Sequence, residues 1–220
     1  MQPLIKPLEE LNKARAAVDD MRRATDLNAL NEYWQEFLHR LERSWNKSVS
    51  HLKRCPKYQG WVERGHTLGL RKKDPLLSYL RNARGAEEHT VEEIVAREPG
   101  IVTISSADGK PIDIEASIQI DEGMSVRKIV TGAASTSAYV LLTKTPGSLT
   151  VTADRPVRVD FKAAKLRLLP VVNRGQTYDP PTSHLGQPLN ELGPNEAAEL
   201  GLTFYESYFK RAEEFFCTSR

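Results

Sequence analysis

The stretch Tyr79-Leu-Arg81-Asn82-Ala-Arg84-Gly-Ala-Glu-Glu88-His89 holds the densest group of chemically capable side chains in the chain. Arginine carries a permanent charge and a planar fork of donors, which holds a phosphate and stabilises negative charge building in a transition state. Histidine titrates near neutral pH, so it takes the proton of a ribose 2′-hydroxyl or returns one to a leaving oxygen. Arg84 and His89 enclose four residues, and Arg81-Asn82 lies just before them. Arg84, His89, Arg81 and Asn82 are therefore candidate catalytic residues, with Glu88 beside them as a binding group. At 100° per residue Arg81, Arg84 and Glu88 share a helix face, and Asn82 and His89 lie one above the other. The same residues also make an ordinary solvated face, in which Arg84 and Glu88 form an i,i+4 pair worth roughly 0.2–0.5 kcal/mol.

A second group lies far along the chain, in Asn173-Arg174-Gly-Gln-Thr-Tyr178-Asp-Pro-Pro-Thr-Ser-His184. Arg174, Tyr178 and His184 offer a cation, a phenol and an imidazole on a segment stiffened by two prolines. Loops held by a scaffold often carry function, which makes these three candidate binding residues. The bland alternative is a surface connection in which His184 bonds locally.

Positioning these groups requires a scaffold, and the apolar periodicity supplies one. Asp74 before Pro75 marks a helix start, and Leu76, Leu77, Leu80, Ala83, Val91, Ile94 and Val95 predict a helix from Asp74 to Arg97. Two helices precede it, Pro7 to Ala24 and Asn28 to Trp45, the second with an aromatic stripe at Tyr33, Trp34, Phe37 and Trp45. Residues 51–70, with three glycines and Pro56, read as a connection packed by Trp61 or as a ragged helix. Beyond Pro99-Gly100 the period falls to two, as in Ile112, Ile114, Ala116, Ile118 and Ile120, and six or seven short strands follow. Residues 173–193 show no period, and a last helix runs from Pro194 to Phe216. The predicted class is α+β: an up-down four-helix bundle (1–98 with 194–220) and an antiparallel β-rich insertion (99–172) between helices three and four, joined to the last helix by an irregular loop (173–193).

The Arg-x4-His spacing on an inner bundle helix, preceded by Tyr79-Leu80-Arg81-Asn82, resembles the HEPN superfamily of small helical bundle proteins. The resemblance covers only the helical part. It implies a metal-independent endoribonuclease or an RNA-binding relative of toxin, defence or RNA-processing systems, with the motif facing its copy across a homodimer. It carries over to Arg84 and His89. The polar residue that often follows the family's arginine is matched by Asn82 after Arg81, whereas Arg84, at the matching spacing, is followed by Gly85. Both arginines remain candidates. The alternative is a non-enzymatic module that dimerises through the bundle and docks a protein partner through the β insertion.

Composition narrows the field. The 220 residues carry 31 basic and 29 acidic side chains, a net charge of +2, so only a local basic patch suits nucleic acid. Two cysteines, Cys55 and Cys217, fit neither a disulfide framework nor a zinc cluster and are expected as free thiols. No phosphate loop, dinucleotide fingerprint or metal-ligand spacing occurs, so neither cofactor nor metal is expected. Without a signal-like start or an apolar span the chain reads as cytoplasmic, with no membrane partner. The proline-rich approach to the last helix is expected to bring Arg174 or His184 to the side of Arg84 and His89.

Overall fold

The computed structural model describes residues 3–89, 94–119, 129–130, 135–142 and 148–217, with side chains throughout except at 87–89, 118–119, 129–130, 142 and 148. It is a mixed α+β structure with five α-helices and small antiparallel sheets. The chain divides into two compact units, Met1–Ala96 with Leu166–Arg220, and Arg97–Lys165.

In the first unit α1 (Ile5–Arg23) buries Leu11, Ala14, Ala17, Val18 and Met21 at intervals of three and four. Asp26 then caps α2 (Leu27–Leu52), accepting hydrogen bonds from the Asn28 and Ala29 amides. The three-residue break turns the chain back, so Pro7 of α1 faces Ser44 of α2, whose hydroxyl donates to the Pro7 carbonyl. After a single 3-10 turn at Pro56–Tyr58 come α3 (Val62–Lys73) and α4 (Pro75–His89). Strand β1 (Val95–Glu98) leads out of the unit.

The second unit holds β2 (Gly100–Ser106), β3 (Ile114–Gln119), β4 (Ile129–Val130), β5 (Ser137–Leu142), β6 (Ser148–Ala153) and β7 (Val157–Lys162). They form two three-stranded antiparallel sheets, ordered β5-β2-β7 and β4-β3-β6. Ile112, Ile114 and Ala116 are buried while Asp113 and Glu115 are exposed, the period of two expected of a strand with one wet face. Val102, Ile104, Ala138 and Val140 complete that core.

The chain returns through β8 (Lys165–Leu168), which pairs with β1, and continues as two hairpins. The first joins β9 (Val171–Asn173) to β10 (Gln176–Tyr178), the second β11 (Ser183–His184) to β12 (Gln187–Pro188). The last helix, α5 (Pro194–Cys217), buries Phe204, Tyr205, Tyr208, Phe209 and Phe216 among the other helices. A Cβ at Gly201 would run into Leu80, so glycine is what lets α5 approach α4 this closely.

Of the two readings of residues 51–70 the helical one holds: residues 62–73 are a fifth helix, held by Trp61 packed among Tyr208, Phe215 and Phe216 and by the buried Thr67 and Arg71; this packing overrides two helical glycines. Three expectations change. The central helix is described over Pro75–His89; the expected continuation through 90–93, with Val91, lies outside the described residues, and Val95–Glu98 is a strand. The second helix runs on to Leu52. The β-rich unit ends at Lys165, so β9 and all of β8 beyond Lys165 fall in the helical unit, and 173–193, expected as an irregular loop, carries most of two hairpins. Neither Cys55 nor Cys217 is in a disulfide.

Candidate functional site

The site is built where the returning hairpins meet α4, at two points along the helix. At its start, Asp74 accepts from the Leu77 amide (3.0 Å) and caps α4. The same carboxylate accepts from His184 Nδ1 (3.0 Å) and from the Leu185 amide (2.6 Å), so the β11–β12 hairpin is fastened to the helix cap. His184 is therefore structural here. Fifteen residues, about 22 Å at 1.5 Å per residue, separate Asp74 from His89 along α4, so His184 does not join Arg84 and His89.

Two turns further along, the first hairpin docks by a side-chain lock. Asn82, only 7% exposed, donates from Nδ2 to the Ser78 carbonyl (2.7 Å). Its Oδ1 accepts from Asn173 Nδ2 at 2.9 Å. Asn173 fits because residue 85 is glycine: a Cβ there would lie 2.5 Å from Asn173 Nδ2. Gly85 thus makes room for this contact. Nearby, the Tyr79 hydroxyl donates to the Leu169 carbonyl (2.8 Å), and burial pushes its pKa up.

The lock fixes the turn Arg174-Gly175, whose φ values of 52° and 76° match the primed turn favoured in two-residue hairpins. A non-glycine residue in this left-handed region costs of order 1–2 kcal/mol. The strained position presents Arg174 to a polar cavity of about 360 Å³, lined also by Glu42, Asn46, Arg81, Asn82, Arg84, Gly85, Asn173, Gln176 and Tyr178. Tyr178 donates from its hydroxyl to Gln176 Oε1 (2.9 Å).

Among the described residues three guanidiniums line the cavity against one carboxylate, and that carboxylate is already engaged. Both Glu42 oxygens accept from Arg71 (2.9 and 2.7 Å). Arg71 is buried, with its guanidinium 4.3 Å from the Trp45 ring centroid; burial pulls its pKa down, opposed by Glu42. The cavity presents net positive charge, carboxamides and a phenol, a donor set suited to a phosphate ester carrying polar bases.

Of the residues singled out by sequence, Arg81, Asn82, Arg84, Arg174 and Tyr178 line one cavity. His184 is taken to the helix cap. His89 is in α4, but the side chains of Glu88 and His89 lie outside the described residues. Sequence reasoning missed the roles of Asn173 and Gly85; the Arg-Gly pair between short strands was the signal for the hairpin that carries Asn173, and Gly85 of α4 makes room for it. Among the described residues, no group of three His, Cys, Asp or Glu side chains is placed to hold a metal ion. No described helix is long and apolar enough to cross a membrane. Comparison with protein families, curated proteins and solved structures finds no match.

Proposed function

We propose that the protein is an HEPN-like RNA-binding protein of the toxin and defence class, gripping a phosphodiester in the cavity lined by Arg81, Arg84 and Arg174. The observation that carries this reading is the convergence of three arginines from two distant segments on one polar cavity. In this reading α1, α2, α4 and α5 act as an up-down four-helix bundle, α3 is an addition, and the second unit is an insertion. Arg84 holds the phosphate, and His89, which helical spacing puts on the Asn82 side of α4, moves the proton in metal-independent cleavage. The pairing of the motif with its copy makes a homodimer part of the reading.

The test is binding of a labelled RNA oligonucleotide with and without Arg84→Ala and Arg174→Ala together. Two lost phosphate contacts should lower the salt slope by about 1.4. Arg84→Ala with His89→Ala should abolish cleavage of a mixed RNA pool while helical circular dichroism is kept. Unchanged binding in the first pair overturns the proposal, and unchanged cleavage in the second removes the catalytic part.

A second, non-enzymatic reading has one observation of its own. Tyr139 and Leu141, at 72% and 51% exposure, project from the same face of β5 and suit a protein partner. Tyr139→Ser with Leu141→Ser should abolish capture of such a partner without changing RNA binding.

A further inference from the structure

A larger groove lies beside the cavity, and it takes its chemistry from a stripe along α2. His39, Arg43, Asn46, Lys47, Ser50 and His51 recur at helical spacing and face Pro3, Ile5, Lys6 and Pro7 at the start of α1. The groove encloses about 1000 Å³, and Arg54 and Arg84 also line it. Arg84 and Asn46 are common to both hollows. The two are neighbours along one basic surface of the helical unit.

Charge and shape together select the occupant. Lys6, Arg43, Lys47, Arg54 and Arg84 line the groove, and among the described residues Glu9 is the one carboxylate that does. Glu10 lies beneath, 3% exposed, and its ion pairs with Arg40, Arg43 and Lys47 leave a surplus of positive charge. The opposite wall offers Pro3, Ile5 and Pro7, with Ile5 at 60% exposure. A cationic rail facing an apolar wall matches a strand whose phosphates lie on one side and whose bases lie on the other. From His39 to His51, twelve residues of α2 cover about 18 Å. At roughly 3.4 Å per phosphate of a stacked strand, that is about five nucleotides.

We infer that this groove is a second subsite, carrying a single-stranded nucleic acid onward from the cavity along α2, with Arg84 as the hand-over point. The inference rests on the proposed RNA binding at the cavity and adds where the strand goes and how long a strand is held. An affinity that grows with strand length follows, because a dinucleotide fills the cavity alone.

Lys6→Gln with Arg54→Gln in the full chain tests it, since both residues lie outside the Glu10 ion cluster. The probes are an oligouridylate about eight nucleotides long and a uridine dinucleotide. The expected result is about tenfold weaker binding of the longer strand and a salt slope lower by about 1.4, with dinucleotide affinity unchanged. A variant that binds the longer strand like the parent overturns the subsite and leaves the cavity reading standing. Polyglutamate displacing the oligouridylate as well as unlabelled RNA does also overturns it, because the groove would then be a site for acidic protein. If the parent binds neither RNA, both readings fall together. Loss of the longer strand in this variant but not in Arg84→Ala with Arg174→Ala overturns the cavity reading and the hand-over at Arg84 with it.

Discussion

Gly85→Ala sets two effects of opposite sign against each other. Within an α-helix, alanine is favoured over glycine by about 0.8–1 kcal/mol, so an unobstructed site would gain stability. Gly85 is obstructed: its added Cβ would lie 2.5 Å from Asn173 Nδ2 and 3.0 Å from Asn173 Cγ. Asn173 can swing away only by giving up its bond to Asn82 Oδ1. Leaving that buried oxygen unmet costs roughly 1–3 kcal/mol, which exceeds the helix gain. Gly85→Ala should therefore lower stability by about 1 kcal/mol. In an Asn173→Ala background the obstruction is gone, and the same change should raise stability by about 1 kcal/mol. Urea unfolding of the four proteins, followed by helical circular dichroism, reads the coupling directly, because every described helix lies in the unit concerned. If Gly85→Ala stabilises both backgrounds equally, the lock between α4 and the hairpin is refuted.

Glu10 and Asp74 give two further expectations. Burial pushes the Glu10 carboxyl up, but hydrogen bonds from Lys47 and Arg40, with the charges of Lys47 and Arg43, outweigh it and bring it from 4.5 down to about 2. A depressed carboxyl stabilises the fold above its unfolded value and loses that contribution as pH falls, here between about pH 5 and 2. The gap corresponds to about 3 kcal/mol, so Glu10→Gln should be that much less stable at neutral pH and nearly equal to the parent near pH 2. A difference that stays constant across thermal unfolding from pH 7 to about 2 contradicts this. Asp74→Ala removes the α4 cap and the anchor of His184 and Leu185 and should cost about 2 kcal/mol, whereas Asp74→Asn, which keeps a capping oxygen, should cost less. Equal melting temperatures for the two variants would show that the capping oxygen carries no weight.

Much of the helical unit was legible because its signals are local. Leu76, Leu77, Leu80 and Ala83 mark the buried side of α4 by spacing alone, and the start expected at Asn28 lies one residue from that of α2. Isoleucine alternation likewise exposed β3. The fifth helix was legible only as one of two readings, because Gly60, Gly65 and Gly69 oppose helix locally, while the packing of Trp61 and Arg71 that favours it comes from distant residues. Val95 fits a helical stripe equally well, and only its place in β1 distinguishes the two. The hairpins were obscured by prolines around Arg174-Gly175 and Leu185-Gly186, although both pairs have the backbone signature of tight turns. The meeting of Asn82 with Asn173 joins residues 91 apart, and no periodicity encodes it. Arg81, Arg84 and Arg174 could be named from residue type, and the return of the loop to the helices was expected to bring Arg174 or His184 beside Arg84, but the hairpin that places Arg174 there could not be read.

Photo-cross-linking tests the central claim most directly. A 4-thiouridine RNA bound to the full chain and cross-linked under light should attach to peptides from α4 and the β9–β10 hairpin, and Arg84→Ala with Arg174→Ala should remove those adducts. Adducts confined to residues 97–165, and unchanged in that variant, would contradict the account and move RNA recognition to the β unit.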